Sequence, residues 1–208
     1  MVVLFTLLTA FAVCWFLAYH RLPALVWVVV QGLFGKYTVT LKLYPAIVTL
    51  HLLGGLGLLA LLSVQSQAQQ PPLPMSRAMF RGMVLVFLVS LAQIALGGWV
   101  STNYAVLACS EFPLCQGRWW PDMDLQQGFQ IWRPLGLLAD GSLISFAALT
   151  AIHMVHRLMA GVVLVVLAGL AWQMNRQPGL RRASRMLALL VGLQLATGLS
   201  NVVFNWPL

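Results

Sequence analysis

The chain has 208 residues, 61% of them apolar and only 8% charged, with a mean hydropathy of +0.88. That much apolar surface excludes a soluble domain of this size and points to an all-α polytopic membrane protein. The formal net charge of +8 reports topology, because Lys and Arg gather on the cytoplasmic side of membrane proteins; no nucleic-acid partner is expected.

About 20 apolar residues span a bilayer as helix. In chain order, six runs qualify: about 2–19, 23–41, 45–64, 82–101, 142–174 and 186–205. Met1 opens directly into the first, with no basic segment or small-residue cleavage site, so no signal peptide is expected. Residues 20–22 and 42–44 leave room only for tight helical hairpins. Cys14 reads as a small apolar filler and His20, beside Arg21, as a solvated turn residue. The Pro-rich stretch 65–81 reads as an irregular linker and 175–185 as a basic hinge. The connection 102–141 is long and carries all four acids, Glu111, Asp122, Asp124 and Asp140.

Placing 20–22, 65–81 and 175–185 in the cytoplasm puts seven Lys and Arg there. The other side then holds Lys42, Arg118 and Arg133, with Lys36 and Arg157 near helix ends. The loop 102–141 is therefore expected to be extracytoplasmic, the chain lying in the plasma membrane with lipid around it. In that oxidising compartment Cys109 and Cys115 are expected to pair. Their spacing is not the Cys-x-x-Cys of catalytic disulfides, which favours a structural bridge over a redox-active one.

Three copies of Gln-x-x-x-Gly recur, at Gln31–Gly35, Gln93–Gly97 and Gln194–Gly198. The first and third are 163 residues apart and each is followed by an apolar tail, as a duplicated four-helix unit would require; common helix-packing chemistry is the plainer account. His51, His153 and His156 lie at similar depth in their helices. An intramembrane His often only bridges helices, but Gly54 and Gly55 beside His51 leave room for something large and flat, which favours haem. His153 and His156, at i and i+3, share a helix face and cannot ligate opposite sides of one iron. Arg157 either grips a haem propionate or snorkels to the interface. Three histidines on two helices without a carboxylate suit zinc poorly.

The stretches HMVHR at 153–157, GGWVSTNYAVLACSEFPLCQGRWWP at 97–121, QGLFGKYTVTLKLYPAIVTLHLLGG at 31–55 and LQLATGLSNVVFNWPL at 193–208 together resemble the haem A synthase family. The resemblance implies eight transmembrane helices in two pseudo-symmetric four-helix bundles, a histidine on the second and fourth helix of each, and a cysteine pair in an extracytoplasmic loop of each. It implies oxidation of the C8 methyl of haem O to the formyl of haem A for cytochrome oxidase assembly. One half would hold substrate haem, the other a haem b cofactor, with haem O synthase or oxidase assembly factors as partners. On this pattern His51 and His156 match axial ligands, Arg157 stands beside the second, and Cys109 and Cys115 match the second-half pair. His153 takes the place where the first half carries a Glu. The expected division is 1–64 for the rest of the first bundle, 65–81 as cytoplasmic linker and 82–208 for the second bundle. The six runs then imply a chain shortened at both ends, with partner histidines upstream of Met1 and near position 214. A non-catalytic b-type haem or electron-transfer subunit is the alternative, and a quinone-linked disulfide oxidoreductase a third.

Overall fold

A computed structural model describes residues 22–40, 44–67 and 75–204. The expected helix 2–19, residues 20–21 and 42–43 of the hairpin turns, Cys14, His20 and the Pro-rich centre of the linker lie outside the described residues. Those described are mostly helical: α1 Leu22–Thr40, α2 Pro45–Gln67, α3 Arg77–Thr102, the short α4 Leu125–Gly128, α5 Phe146–Asn175 and α6 Arg181–Val203. Among them only isolated bridges stand in for strand, at Cys115–Arg118 and Leu137–Leu143. Four stretches are long and apolar enough to cross a membrane: α2, α3, α5, and α6 with its leading 3-10 turn from Pro178.

Helix ends fall where local chemistry puts them. Ser76 and Ser145 are N-caps whose hydroxyls accept from the Met79 and Ala148 amides, starting α3 and α5. The linker expected at 65–81 is therefore shorter at both ends. Gln65 and Gln67 carry α2 onward, since glutamine is a good helix former, and α3 begins at Arg77. Likewise the basic hinge contracts to 176–180; Arg181, Arg182 and Arg185 sit on α6. The α5 run begins at Phe146, four residues later than expected. Its 30 residues span about 45 Å, well beyond a ~30 Å hydrocarbon layer.

The surplus length is used at the end facing the long loop. Each long helix packs on the next, α3 with α5 most extensively. The buried core concentrates at the loop end of this array: Ala46 of α2, Trp99 and Val100 of α3, Ala105 from the loop and Ile152 of α5. A second cluster joins Cys109, Cys115 and Met154. Burying side chains such as Ile152 contributes about 1.5–3 kcal/mol each. Away from this end the helices expose Leu59, Phe87, Val165 and Leu189, the surface a bilayer would cover. At the opposite end Arg176 lies over the Trp172 ring at 3.8 Å, an aromatic–cation pair of the kind found at membrane interfaces.

The loop between α3 and α5 is a built lid. Trp99 Nε1 donates to Gly128 O at 3.0 Å, and the Asp124 amide donates to Ala147 O at 3.1 Å. Gln116 Nε2 donates to Thr150 Oγ1 at 2.8 Å, from a backbone at φ 54° that its side-chain bonds to Thr150 and Ala108 O hold in place. Arg133, only 1% exposed, donates to Asn103 Oδ1 and Leu137 O and lies 5.7 Å from the Trp99 ring centroid.

Candidate histidine site beneath a disulfide-bonded loop

Cys109 and Cys115 form a disulfide with Cα atoms 4.8 Å apart. The loop they close is tied to α5 through one side chain. Arg157 donates from its two terminal nitrogens to Leu114 O and Cys109 O, both at 3.1 Å, and from Nε to His153 Nε2 at 3.2 Å. A guanidinium suits this because its donors diverge in one plane and can reach several carbonyls at once. One hydrogen remains on each terminal nitrogen. Sequence reasoning offered propionate grip or snorkelling; neither foresaw that the donors would be shared with the disulfide loop.

His153 is almost fully buried beneath this loop. His156 is half-buried and faces elsewhere, towards α3. Its ring lies across Gly97: a methyl group at that position would stand 3.2 Å from Cε1. Gln93, one turn earlier on α3, brings its amide nitrogen within 3.1 Å of His156 Nδ1, 3.4 Å of Nε2 and 3.3 Å of the His156 carbonyl.

His51 sits in a second place. It is half-buried on α2 and lies over Gly35 of α1, where a methyl group would stand 3.4 Å from Cε1. Among the described residues its ring accepts and donates no hydrogen bond, and Nδ1 is buried. Between the two imidazoles α2 and α3 pack closely: a methyl group at Gly98 would meet Leu52 at 3.1 Å and Thr49 at 3.2 Å. Thus His153, His156, Arg157 and the disulfide are brought together, while His51 stands across the α2–α3 contact against α1.

Gln93, Gly97 and Gly35 did not figure among the expected site residues. Their signal was present as the Gln-x-x-x-Gly repeat, but its pairing with a histidine on the following helix exists only in three dimensions. Arg133 was counted for charge alone.

Apolar helices bearing half-buried imidazoles over glycines, capped by a disulfide-bonded loop, define a multi-helix membrane protein with internal histidine sites. The chain belongs to the cytochrome oxidase assembly protein family COX15-CtaA, whose model matches residues 1–208. It is 35% identical over 183 residues to the heme A synthase of Shewanella oneidensis, covering 86% of this chain and 56% of that protein. The heme A synthase of Halalkalibacterium halodurans is 28% identical over 191 residues, with the same 86% and 56% coverage. That of Shouchella clausii is 33% identical over 106 residues, 46% of this chain and 35% of that protein. The chain thus spans a little over half the length of the first two relatives. No solved structure matches it.

The residues present are of the kind that would hold a haem iron, on two observations. Among the described residues the His51 Nδ1 is buried without a partner, an arrangement that costs about 1–3 kcal/mol unless something coordinates or bonds it. Glycine at 97 also gives the His156 ring edge its room, since a methyl group there would stand 3.2 Å from Cε1.

Proposed function

We propose that this chain serves haem A synthesis, oxidising the C8 methyl of haem O to the formyl of haem A. The observation that carries the reading is the repeated pairing of an intramembrane imidazole with the glycine of a Gln-x-x-x-Gly helix, within a member of this family. In this reading His51 and His156 would each hold a haem iron, one in each half, with haem b resident in one half and haem O bound in the other. When bound, haem supplies redox-active iron. The chain's own contribution is to present neutral imidazole from two rigid helices and to exclude water from the loop end. Arg157 holds the disulfide loop and directs its two remaining N–H groups to a propionate, and His153 stays a buried neighbour, not a second ligand.

The same reading takes the chain as six helices from two pseudo-symmetric four-helix bundles, the first ending with α2 at Gln67 and the second beginning with α3 at Arg77 in place of the expected 1–64, 65–81 and 82–208. The recurrence of the glycine–histidine pairing on α1–α2 and α3–α5 supports the duplication. It lies in the plasma membrane with 102–141 outside. Support comes from the excess of Lys and Arg at the other end, where Arg176 stacks on Trp172, and from a disulfide that suits an oxidising compartment. Haem O synthase and oxidase assembly factors are its partners in this scheme.

Purifying the chain from a host that makes haem O and extracting its haem tests the reading. Haem O or haem A by chromatography supports it. Haem b alone supports a b-type haem subunit instead, and no haem in a folded preparation defeats both.

A further inference from the structure

The end opposite the lid carries charge that the chain itself does not balance. Arg77 and Arg81 open α3, Arg176 closes α5, and Arg181, Arg182 and Arg185 lie in the first two turns of α6, all of them exposed. The four acids of the whole sequence run from Glu111 to Asp140, in the loop at the other end. Among the described residues Arg182 and Arg185 make no hydrogen bond or ion pair, and Arg181 bonds only to a carbonyl, Asn175 O at 3.3 Å. Like charges one turn apart on a helix repel, so this end is unfavourable until a counter-charge joins it. We propose that the tip of the α5–α6 hairpin is a seat for the phosphate headgroup of an anionic phospholipid.

The frame of the seat is fixed. Ser184, among the arginines, is buried, and its hydroxyl donates to Ala171 O at 2.7 Å, tying the start of α6 to the end of α5. Arg185 stands three and four residues beyond Arg182 and Arg181, so the three are neighbours on the helix surface. No side chain caps this helix start, and its dipole adds positive potential at the same place. Arg176 lies over the exposed Trp172 ring at 3.8 Å, a stacking that leaves the N–H edge of the guanidinium open. Further along α6, Met186, Leu189 and Leu190 are each more than half exposed, an apolar track for acyl chains beside the charged turn. A soluble acidic partner would have no use for that track. Residue type adds discrimination. Lysine and arginine serve membrane orientation alike, yet all the basic residues described at this end are arginine, and neither of the chain's lysines, Lys36 and Lys42, is among them. A guanidinium fork takes two phosphate oxygens at once, where an ammonium is a point charge. Basic clusters bordering a membrane helix hold anionic headgroups in this way.

Charges that only orient the chain would leave its choice of lipid unchanged, which separates the two accounts. The full chain is reconstituted with equal phosphatidylcholine and phosphatidylglycerol and re-extracted in mild detergent, and native mass spectrometry identifies the lipids it retains. The wild type is expected to retain phosphatidylglycerol in preference. R182Q/R185Q leaves Arg77, Arg81, Arg176 and Arg181 to hold orientation and is expected to lower that preference at least about fivefold, the worth of one cationic side chain at an anionic surface. R182K/R185K keeps the charge and is expected to hold the preference at low salt but lose it at high salt, where the wild type keeps it. No preference in the wild type, or the same preference and salt response in all three proteins, overturns the proposal. So does release of the retained lipid by millimolar inorganic phosphate, which would show an anion site without a lipid seat. Binding of an acidic soluble protein with no phosphatidylglycerol retained would assign the surface to a protein partner instead. Protease access to the loop 102–141 reports orientation; should R182Q/R185Q insert wrongly, the salt response of R182K/R185K decides.

Discussion

Arg133 is the residue on which the lid turns. It is nearly fully buried, no carboxylate pairs with it among the described residues, and burial pushes its pKa down from the usual guanidinium value. Folding around such a charge is unfavourable by itself; the bonds to Asn103 Oδ1 and Leu137 O and the Trp99 ring offset it. Asn103 in turn donates to Trp99 O at 2.8 Å, so the arginine anchors the end of α3 to the loop. Arg133→Met keeps the volume but leaves those two acceptors dry. It should destabilise the protein by about 1.5–3 kcal/mol, the range for hydrogen bonds to a charged group. Arg133→Lys should lose less, since one ammonium can still reach one acceptor. Thermal unfolding in detergent measures both; equal midpoints for Arg133→Met and wild type would show that the lid does not depend on this side chain.

At the level of elements, the long apolar helices were legible because hydropathy alone fixes a segment that must satisfy its backbone in lipid. Their ends were less so. Gln65, Gln67 and Arg77 are polar yet helical, and composition cannot separate a polar helix tail from a loop. The disulfide was legible from compartment and spacing. What holds its loop was not, because Arg157 reaches carbonyls 43 and 48 residues away in sequence. The lid's packing on α5 was equally hidden. Gly128 of α4 sits so close that a methyl group there would stand 2.8 Å from the Ala148 carbonyl oxygen. Neither atom can yield without moving main chain, so Gly128→Ala should displace α4 and stretch the Trp99–Gly128 hydrogen bond. The expected loss is about 1–3 kcal/mol, as for overpacking elsewhere. A fall in the unfolding midpoint together with altered Trp fluorescence would register it. Gly117, which has open space around it, is no control, because its φ of 70° would strain alanine; Gly179 is one, having neither constraint.

For the whole molecule, the consequence of the architecture is independence of the two histidine sites. His51 lies against α1 and His156 against α3, with the tight Gly98 contact of α2 on α3 between them and, among the described residues, no shared hydrogen-bond partner. Substitutions at sites without common partners contribute additively. If each imidazole ligates its own iron, His51→Ala should remove one haem signal and leave the His156-dependent signal at its wild-type position. His156→Ala should do the reverse, and the double variant should bind no haem. Haem spectra of the reconstituted single and double variants follow the two signals. Loss of all haem from either single variant would mean that one iron draws on both histidines, which the close α2–α3 packing opposes. An intermediate result, with one signal lost and the other displaced, would point to coupling through that packing. Gly98→Ala, which pushes on Leu52 and Thr49 one and two residues from His51, should then enlarge the displacement.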